Sequence, residues 1–170
     1  MIVVAVGSNL ADRYGKEPLE ICRWAAARLS HQEHINVMTV SSWYKTRPVP
    51  DSEQPWYVNG VIRIQTHLLP EELLTRLHAI EAEAGRVRKN RNEARVLDLD
   101  LICYNTLSIL TPHLVLPHPR MHERAFVLAP MEEIAAEWVH PLFKKNVREM
   151  KDHFLSTQKE EWFSMVKIRS

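Results

Sequence analysis

The sequence predicts an α+β protein with an antiparallel sheet. Alternating apolar residues, which are typical of strands, and apolar residues three or four positions apart, which are typical of helices, occupy separate segments. These segments follow in the order strand, helix, strand, strand, helix, strand up to Tyr104. With 170 residues, 45% apolar and 25% charged, the chain has the size and composition of one globular domain.

The first strand and the first helix have clear boundaries. Ile2 to Val6 is a continuous apolar run, typical of a strand buried on both faces, and it ends at the turn residues Gly7, Ser8 and Asn9. A helix is predicted from Pro18 to about Ser30, because proline is favoured at the first helical position and apolar residues then recur at helical spacing.

Two strands come next. Residues 35–44 are rich in β-branched and aromatic side chains, and a proline-punctuated loop follows them over 46–52. Residues 56–66 alternate in polarity, which predicts a strand with one face towards the core. That core face is expected to carry Val58, Gly60, Ile62 and Ile64.

A second helix and a fourth strand complete the pattern. Pro70 and the two acids after it suit the start of a helix, which should end at Gly85. Residues 96–104 alternate again, with the expected buried face carrying Leu97, Leu99, Leu101 and Cys103. This order is that of the split β-α-β motif of ferredoxin-like domains, in which both helices pack on one face of the sheet.

The last third of the chain is less regular. After a short hairpin, a helix is expected from about Met121, and Pro130 should stop it. Residues 146–155 predict a final helix, and residues 162–169 alternate weakly, as a strand or a loose tail would.

Composition excludes several classes of protein. The net charge of +1 argues against a partner, such as a long nucleic acid, that is held by neutralising its phosphates. Two cysteines, Cys22 and Cys103, are too few for a disulfide framework and favour a reducing compartment. No apolar run is long enough for a signal sequence or a membrane span. With only four glycines, no glycine-rich phosphate loop can be written.

Asp98 and Asp100 are the most informative polar pair. Two residues apart on a strand, they leave the same face about 6.6 Å apart, so both can bind one divalent cation or bridge two. Two solvated acids on an exposed face are the alternative. The preceding segment has a local charge of +4, from Arg86, Arg88, Lys89, Arg91 and Arg95 against Glu93. Arginines and a carboxylate-held metal together predict a polyphosphate site.

Other residues suggest what accompanies the phosphates. Tyr57 and Asn59 share one strand face, which suits a flat heterocycle that needs stacking and hydrogen bonds, although cross-strand aromatic pairing would explain the tyrosine too. His118 has Arg120 and Arg124 close in sequence, which favours a phosphate donor over a metal ligand. A single-stranded nucleic-acid binder and a metal-dependent nuclease remain as alternatives.

Several short motifs follow one another along residues 2 to about 130. They are Val6-Gly7-Ser8-Asn9-Leu10, Tyr44-Lys45-Thr46, Gln54-Pro55-Trp56-Tyr57-Val58-Asn59, Ile80-Glu81, Gly85-Arg86-Val87-Arg88, Arg95-Val96-Leu97-Asp98-Leu99-Asp100, Pro117-His118 and Arg124-Ala125-Phe126. Together they resemble the motifs of the 6-hydroxymethyl-7,8-dihydropterin pyrophosphokinase family. Members of that family transfer pyrophosphate from ATP to a pterin alcohol in folate biosynthesis and release AMP.

The resemblance implies a role for each matching residue. It implies two Mg²⁺ ions on Asp98 and Asp100, which with Arg86 and Arg95 would form the catalytic set. ATP contacts would come from Glu81, Arg86, Arg88, Arg95, His118 and Arg124. The pterin would lie among Thr46, Tyr57, Asn59 and Phe126. No side chain is an obvious general base.

The resemblance also implies how the chain is organised. We expect a single pyrophosphokinase domain over residues 1–170, with a core of about 1–141 and an added C-terminal helix and tail over 142–170. We expect a cytoplasmic monomer that binds ATP and the pterin, with no nucleic-acid or membrane partner. The arginine loop looks one residue shorter than is usual, with no aromatic residue between Gly85 and Arg95 and with Glu93 at a small-residue position. A paralogue that binds pterin or nucleotide without turnover is therefore a further alternative.

Overall fold

The computed structural model describes residues 1–48, 52–85 and 94–169. Within these ranges the elements are β1 Ile2–Ser8, α1 Pro18–Ser30, β2 Ile35–Val40, β3 Tyr44–Thr46, β4 Tyr57–Thr66, α2 Pro70–Glu83, β5 Asp98–Tyr104, β6 Ile109–Leu110, β7 Val115–Leu116, a 3-10 turn Met121–Glu123, α3 Ala125–Ala135, α4 Val147–Ser164 and β8 Val166–Lys167. The α+β class, the antiparallel sheet and the four α-helices agree with the sequence.

The main sheet has six strands. Five of them follow in the order β5-β1-β4-β3-β8, and the sixth, β2, pairs with β4. Every pairing in it is antiparallel. β1 lies between β4 and β5 and pairs with both over nearly its whole length. Its unbroken apolar run is explained by this position, since both faces and both edges of the strand are covered.

One face of the sheet is covered by α1 and α2, as predicted. Leu29 of α1 and Leu77 of α2 are fully buried, and they belong to the same core cluster as Val4 and Ile62 of the sheet. Pro18 starts α1 and Pro70 starts α2, so both proline signals mark the true helix starts.

The opposite face is a second core, which the alternating pattern did not predict. Val61 and Ile102, on the sides of β4 and β5 opposite the predicted core face, are fully buried with Met131 of α3 and Phe154 of α4. The expected placement of Cys103 with Leu101 is wrong. Because a β-bulge shifts the β1–β5 register between Val3 and Val4, the Cys103 side chain joins the second core.

The predicted strand over 35–44 is two strands. The amide of Val61 donates to the Ser41 hydroxyl at 2.9 Å, so a side chain replaces the backbone acceptor there and interrupts the strand. Trp43 then covers Gly60, where a Cβ atom would lie 2.6 Å from the indole ring. The glycine in β4 therefore makes room for the tryptophan at this break.

The helix predicted to begin at Met121 and to end at Pro130 differs from the observed one at both ends. That segment is a 3-10 turn followed by α3, which runs through Pro130 to Ala135. The proline removes one hydrogen bond of the helix, but the α3 residues from Val127 to Met131 are all buried, and Val127, Leu128 and Met131 belong to the second core. Burial therefore outweighs the local preference of proline.

The C-terminal segment is more ordered than its sequence pattern indicates. Asn146 caps α4, with its side chain accepting from the Glu149 amide at 2.9 Å, and the helix continues to Ser164 with a kink at Gln158. β8 then pairs with β3 at the sheet edge. Over the described parts of the chain, no helix combines the length and apolarity that crossing a membrane requires.

Replacing Phe154 with alanine should show that α4 belongs to the cooperative core. Phe154 is 2% exposed, so the substitution leaves a large cavity and should lower the free energy of unfolding by about 3–5 kcal/mol. Phe163, on the same helix and 76% exposed, is the control, and its replacement by alanine should change that free energy by about 0.5 kcal/mol or less. Urea titrations followed by circular dichroism measure both. Equal small effects would mean that α4 packs only loosely.

Candidate active site

One cavity of about 150 Å³ gathers most of the predicted site residues. It opens where β1, β3, β4 and β5 meet the start of α3. Eight of the predicted residues line it: Thr46, Tyr57, Asn59, Arg95, Asp98, Asp100, Arg124 and Phe126. Five elements from distant parts of the sequence therefore meet at a single pocket.

Asp98 and Asp100, two residues apart on β5, both line this cavity. In the β-sheet register they face Gly7 and Ala5 of β1, and these small residues leave the carboxylates open to the cavity. The side chains keep 21% and 39% of their surface exposed. The predicted pair therefore presents both carboxylates to one space.

The electrostatics of this pair favour a cation. Removal from water and the nearby charge of Asp98 raise the pKa of the Asp100 carboxyl to about 6. Arg95 Nη1 lies 2.7 Å from Asp98 Oδ2, and Arg124 Nη1 lies 3.6 Å from Asp100 Oδ2. Asp98 and Asp100 together form a site that a divalent cation would stabilise, because a cation would offset the repulsion between the two carboxylates.

His118 and Arg124 present two donors to the same point. The backbone amide of Arg120 donates to His118 Nδ1 at 3.1 Å, which assigns the proton of a neutral imidazole to Nε2. Burial and then the charge of Arg124 lower the pKa of His118 to about 4, so the ring is neutral. Nε2 lies 3.4 Å from Arg124 Nη1, and two adjacent N–H donors suit a shared anionic oxygen.

A second part of the cavity is built around Asn59. Its side chain is 7% exposed and donates to the Thr46 hydroxyl at 2.7 Å. A Cβ atom on Gly7 would lie 2.8 Å from Asn59 Oδ1, so the close approach of the amide depends on this glycine. Tyr57 and Phe126 line the same cavity, and burial raises the pKa of the Tyr57 hydroxyl. An amide between aromatic side chains can recognise the edge and faces of a flat ring.

The donor set fits magnesium. Among the described residues, no three His, Cys, Asp or Glu side chains are grouped closely enough to enclose a metal by themselves. Asp98 and Asp100 supply hard oxygen ligands, and Mg²⁺ commonly takes one or two carboxylates together with phosphate oxygens and water. A metal held by this pair would therefore complete its ligands with water or with phosphate oxygens from a substrate.

Comparison with known proteins identifies the family. Residues 3–136 match the family model described as 7,8-dihydro-6-hydroxymethylpterin-pyrophosphokinase. The chain belongs to this family. It is 39% identical over 153 residues to the 2-amino-4-hydroxy-6-hydroxymethyldihydropteridine pyrophosphokinase of Haemophilus influenzae, covering 88% of this chain and 92% of that protein. The Bacillus subtilis protein of the same name is 42% identical over 134 residues, covering 79% and 77%.

Solved structures agree on the pyrophosphokinase fold. The Plasmodium falciparum HPPK-DHPS crystallised with pterin and p-hydroxybenzoate superimposes with a TM-score of 0.76 at 14% identity. The match covers 99% of this chain and 46% of that chain, so this protein spans about half the length of the solved protein. At this level of identity the likeness concerns the fold alone.

Of the predicted pyrophosphokinase residues that the structure describes, His118 and Glu81 are not among those that line the cavity. Arg86 and Arg88, with the rest of the arginine loop over 86–93, fall outside the described residues. Glu81 is 2% exposed and lies behind β5, where its carboxylate accepts from the Leu99 amide at 2.8 Å. The Glu81 carboxylate therefore contacts β5 at Leu99, the residue between Asp98 and Asp100.

Asn9 does not line the cavity but supports two segments next to it, a role that sequence reasoning did not assign. It is 2% exposed, its side chain accepts from the Arg95 amide at 2.8 Å, and it donates to the Pro55 carbonyl at 3.1 Å. It therefore joins the segment before β5 to the loop before β4. Its place in the Gly7-Ser8-Asn9 turn after a buried strand was the available signal, because a polar residue buried at such a turn needs partners.

The lowered pKa of His118 predicts a pH-dependent stability. An unfolded histidine titrates near its ordinary value of 6.5, whereas folded His118 titrates near 4. Between these values the unfolded chain binds more protons at this histidine, so the contribution of His118 to the free energy of unfolding should fall as the pH falls from 6.5 to 4. Asp100, whose pKa is raised to about 6, acts in the opposite direction over part of this range. Relative to the unsubstituted chain, His118→Gln should therefore make stability fall less as the pH falls, and the same substitution at exposed His113 should not. Urea midpoints measured between pH 4 and 7 test this, and parallel curves for both variants would contradict the assignment.

Proposed function

We propose that this chain transfers the pyrophosphoryl group of Mg-ATP to 6-hydroxymethyl-7,8-dihydropterin and releases AMP, the reaction of folate biosynthesis that gives its family a name. One observation carries the proposal. The carboxylate pair Asp98–Asp100 and the buried amide of Asn59 line the same cavity, so a polyphosphate site and a ring site are adjacent. The pyrophosphokinase relatives from Haemophilus influenzae and Bacillus subtilis support the choice of reaction.

The phosphates of ATP would be held by cations from several elements. Arg95 and Arg124 line the cavity, and His118 adds its Nε2 donor beside Arg124. The family pattern adds Arg86 and Arg88, which lie outside the described residues, and Glu81 for the nucleotide. The guanidinium group of arginine can donate two hydrogen bonds to phosphate oxygens. Here the arginines would bind the phosphates in place of the glycine-rich loop that the sequence lacks.

Asp98 and Asp100 would hold the magnesium, with two ions expected from the family. When bound, magnesium neutralises the charge that develops on the phosphate oxygens during transfer. The raised pKa of Asp100 supports this assignment, because a carboxyl that is costly to ionise alone is stabilised by a cation.

The pterin would occupy the part of the cavity around Asn59. Its amide and the Thr46 hydroxyl offer hydrogen bonds to the ring edge, and both are buried. Tyr57 and Phe126 offer aromatic surfaces. This arrangement would point the hydroxymethyl group of the pterin towards Asp98 and Asp100.

The reaction would be a direct in-line displacement. The hydroxymethyl oxygen forms a bond to the β-phosphorus, the bond from that phosphorus to the α–β bridging oxygen breaks, and AMP leaves with the bridging oxygen. The hydroxyl proton is released, and we assign no side chain to accept it. Arg86, Arg95, Asp98 and Asp100 would form the catalytic set. They would act by positioning the reactants and stabilising charge, as is usual in phosphoryl transfer.

We further propose that residues 1–170 form one pyrophosphokinase domain with a ferredoxin-like core. The order β5-β1-β4-β2 and the two helices on one face support that topology. The packing of α4 against α3 supports a single domain that includes residues beyond 141. A cytoplasmic monomer remains our proposal for the state of the protein.

The decisive test is the identity of the nucleotide product. The purified chain, incubated with Mg-ATP and 6-hydroxymethyl-7,8-dihydropterin, should produce AMP and the pterin pyrophosphate in equal amounts, as measured by anion-exchange chromatography. ADP as the product would exclude pyrophosphoryl transfer. Binding of both substrates without any product would indicate a paralogue that has lost turnover. Omitting the pterin is the control, since AMP formed without it would indicate a hydrolase.

Removing one carboxylate should separate catalysis from stability. Asp98→Ala should lower kcat by roughly 10²-fold or more, because it removes a group that stabilises transition-state charge. Its free energy of unfolding should change by about 1 kcal/mol or less. The substitution removes the ion pair with Arg95, but it also removes the repulsion between Asp98 and Asp100, and the two effects oppose each other. Binding of Mn²⁺, followed by electron paramagnetic resonance, should weaken in parallel.

Asp152→Ala is the matched control for this test, because Asp152 is an exposed acid on α4 with 67% of its side-chain surface exposed. It should leave activity, Mn²⁺ binding and unfolding unchanged. An Asp98→Ala chain with full activity, or one that no longer folds by circular dichroism, would count against the metal role.

A further inference from the structure

Residues 166–168, which we call the C-terminal strap, lie beyond the segment that matches the family model. The strap forms the outer edge of the sheet next to β3. Its two paired positions are Tyr44↔Lys167 and Lys45↔Val166. The Ile168 amide also donates to the Trp43 carbonyl at 2.8 Å, and the Ile168 side chain packs against the first core cluster.

β3 is short, and the strap supplies one of its two edges. On the other edge β3 pairs with β4 at three positions, the last of which is Thr46↔Tyr57. Thr46 also accepts the hydrogen bond from Asn59. A strand of three residues is weakly defined by one neighbour alone. The strap therefore bears directly on where Thr46 lies.

Glu133 of α3 accepts hydrogen bonds from residues at this edge of the sheet. One carboxylate oxygen accepts from Lys167 Nζ at 2.8 Å and from the Tyr44 hydroxyl at 2.5 Å, and the other accepts from the Ser42 amide at 2.8 Å. Burial alone would raise the pKa of the Glu133 carboxyl, but these hydrogen bonds outweigh it and lower the pKa to about 2. The carboxylate thus joins the strap, β3 and the segment before β3.

The connection matters because β3 and α3 form two walls of the ring pocket. Thr46 lies at the end of β3, and Phe126 lies in the first turn of α3. Trp162 and Met165, which lead into the strap, pack against the same second core as Phe126. Asp98 and Asp100, by contrast, lie on β5, which β1 and β4 separate from β3 in the sheet.

We propose that the C-terminal strap, acting through Lys167 and Glu133, is a positioning element for the pterin: it fixes β3 and Thr46 relative to α3 and Phe126. This inference rests on the proposed function and adds a determinant of substrate binding outside the family segment. Because the strap is remote from β5, it acts on ring affinity and leaves the phosphate and metal site unchanged.

The test compares the full chain with a chain that ends at Met165, using 6-hydroxymethyl-7,8-dihydropterin and a non-hydrolysable ATP analogue as probes in calorimetric titrations. The shortened chain should bind the pterin about tenfold more weakly, which corresponds to a loss of ~1.4 kcal/mol. Its affinity for the analogue should stay within about twofold, since a twofold change is only ~0.4 kcal/mol. Amide exchange of residues 42–48, measured by mass spectrometry, should become faster.

Single substitutions keep the test valid if the shortened chain folds poorly. Lys167→Met keeps most of the side-chain length and removes the charge, and it should weaken pterin binding by about twofold to fivefold, as expected for an exposed ion pair. Lys167→Arg should restore binding. Arg169→Met is the matched control, because Arg169 is an exposed cation next to the strap. This substitution should have no effect on pterin binding.

The outcomes separate this inference from the proposed function. If the full chain binds neither probe, the proposed function fails and this inference fails with it. If the full chain binds both and the shortened chain binds the pterin equally well, only the inference fails. Equal weakening of both probes in the Lys167→Met chain would mean that the strap has a general structural role.

Discussion

The register of β1 between β4 and β5 is the constraint on which the site depends. Gly7 pairs with Asn59 on one side and with Asp98 on the other, so one residue without a side chain separates the ring site from the acid pair. The glycine also admits the Asn59 amide at a distance that a Cβ atom would prevent. A slip of one residue in either pairing would turn these side chains to the opposite face. Burial of the strand on both faces holds the register.

Charge is balanced locally in a chain whose net charge is only +1. Arg95 and Arg124 lie beside the two aspartates, and both line the cavity in which we propose that phosphate binds. His118 stays neutral because burial and the charge of Arg124 lower its pKa, so it donates from Nε2 without adding charge. The near-neutral sum argues against a large anionic surface partner and agrees with a small anion site.

Helices pack on both faces of the sheet, and this packing positions the residues of the pocket. α1 and α2 stabilise one face, while α3 and α4 cover the other and bring Arg124 and Phe126 to the cavity. The C-terminal segment contributes twice: α4 completes the second core, and β8 pairs with β3 and reaches Glu133 of α3. Residues outside the family segment thus contribute to the surroundings of the site.

The sequence by itself determined the elements whose signals are local. Pro18 and Pro70 start α1 and α2 as predicted, and the alternation around Asp98 and Asp100 placed both acids on one face. Tertiary structure decided the second core, the passage of α3 through Pro130 and the pairing of β8 with β3. The role of Asn9 and the neutral state of His118 also depend on it, because burial and partners distant in sequence set both. Periodicity reports which residues share a face, whereas only the packed chain determines what covers that face.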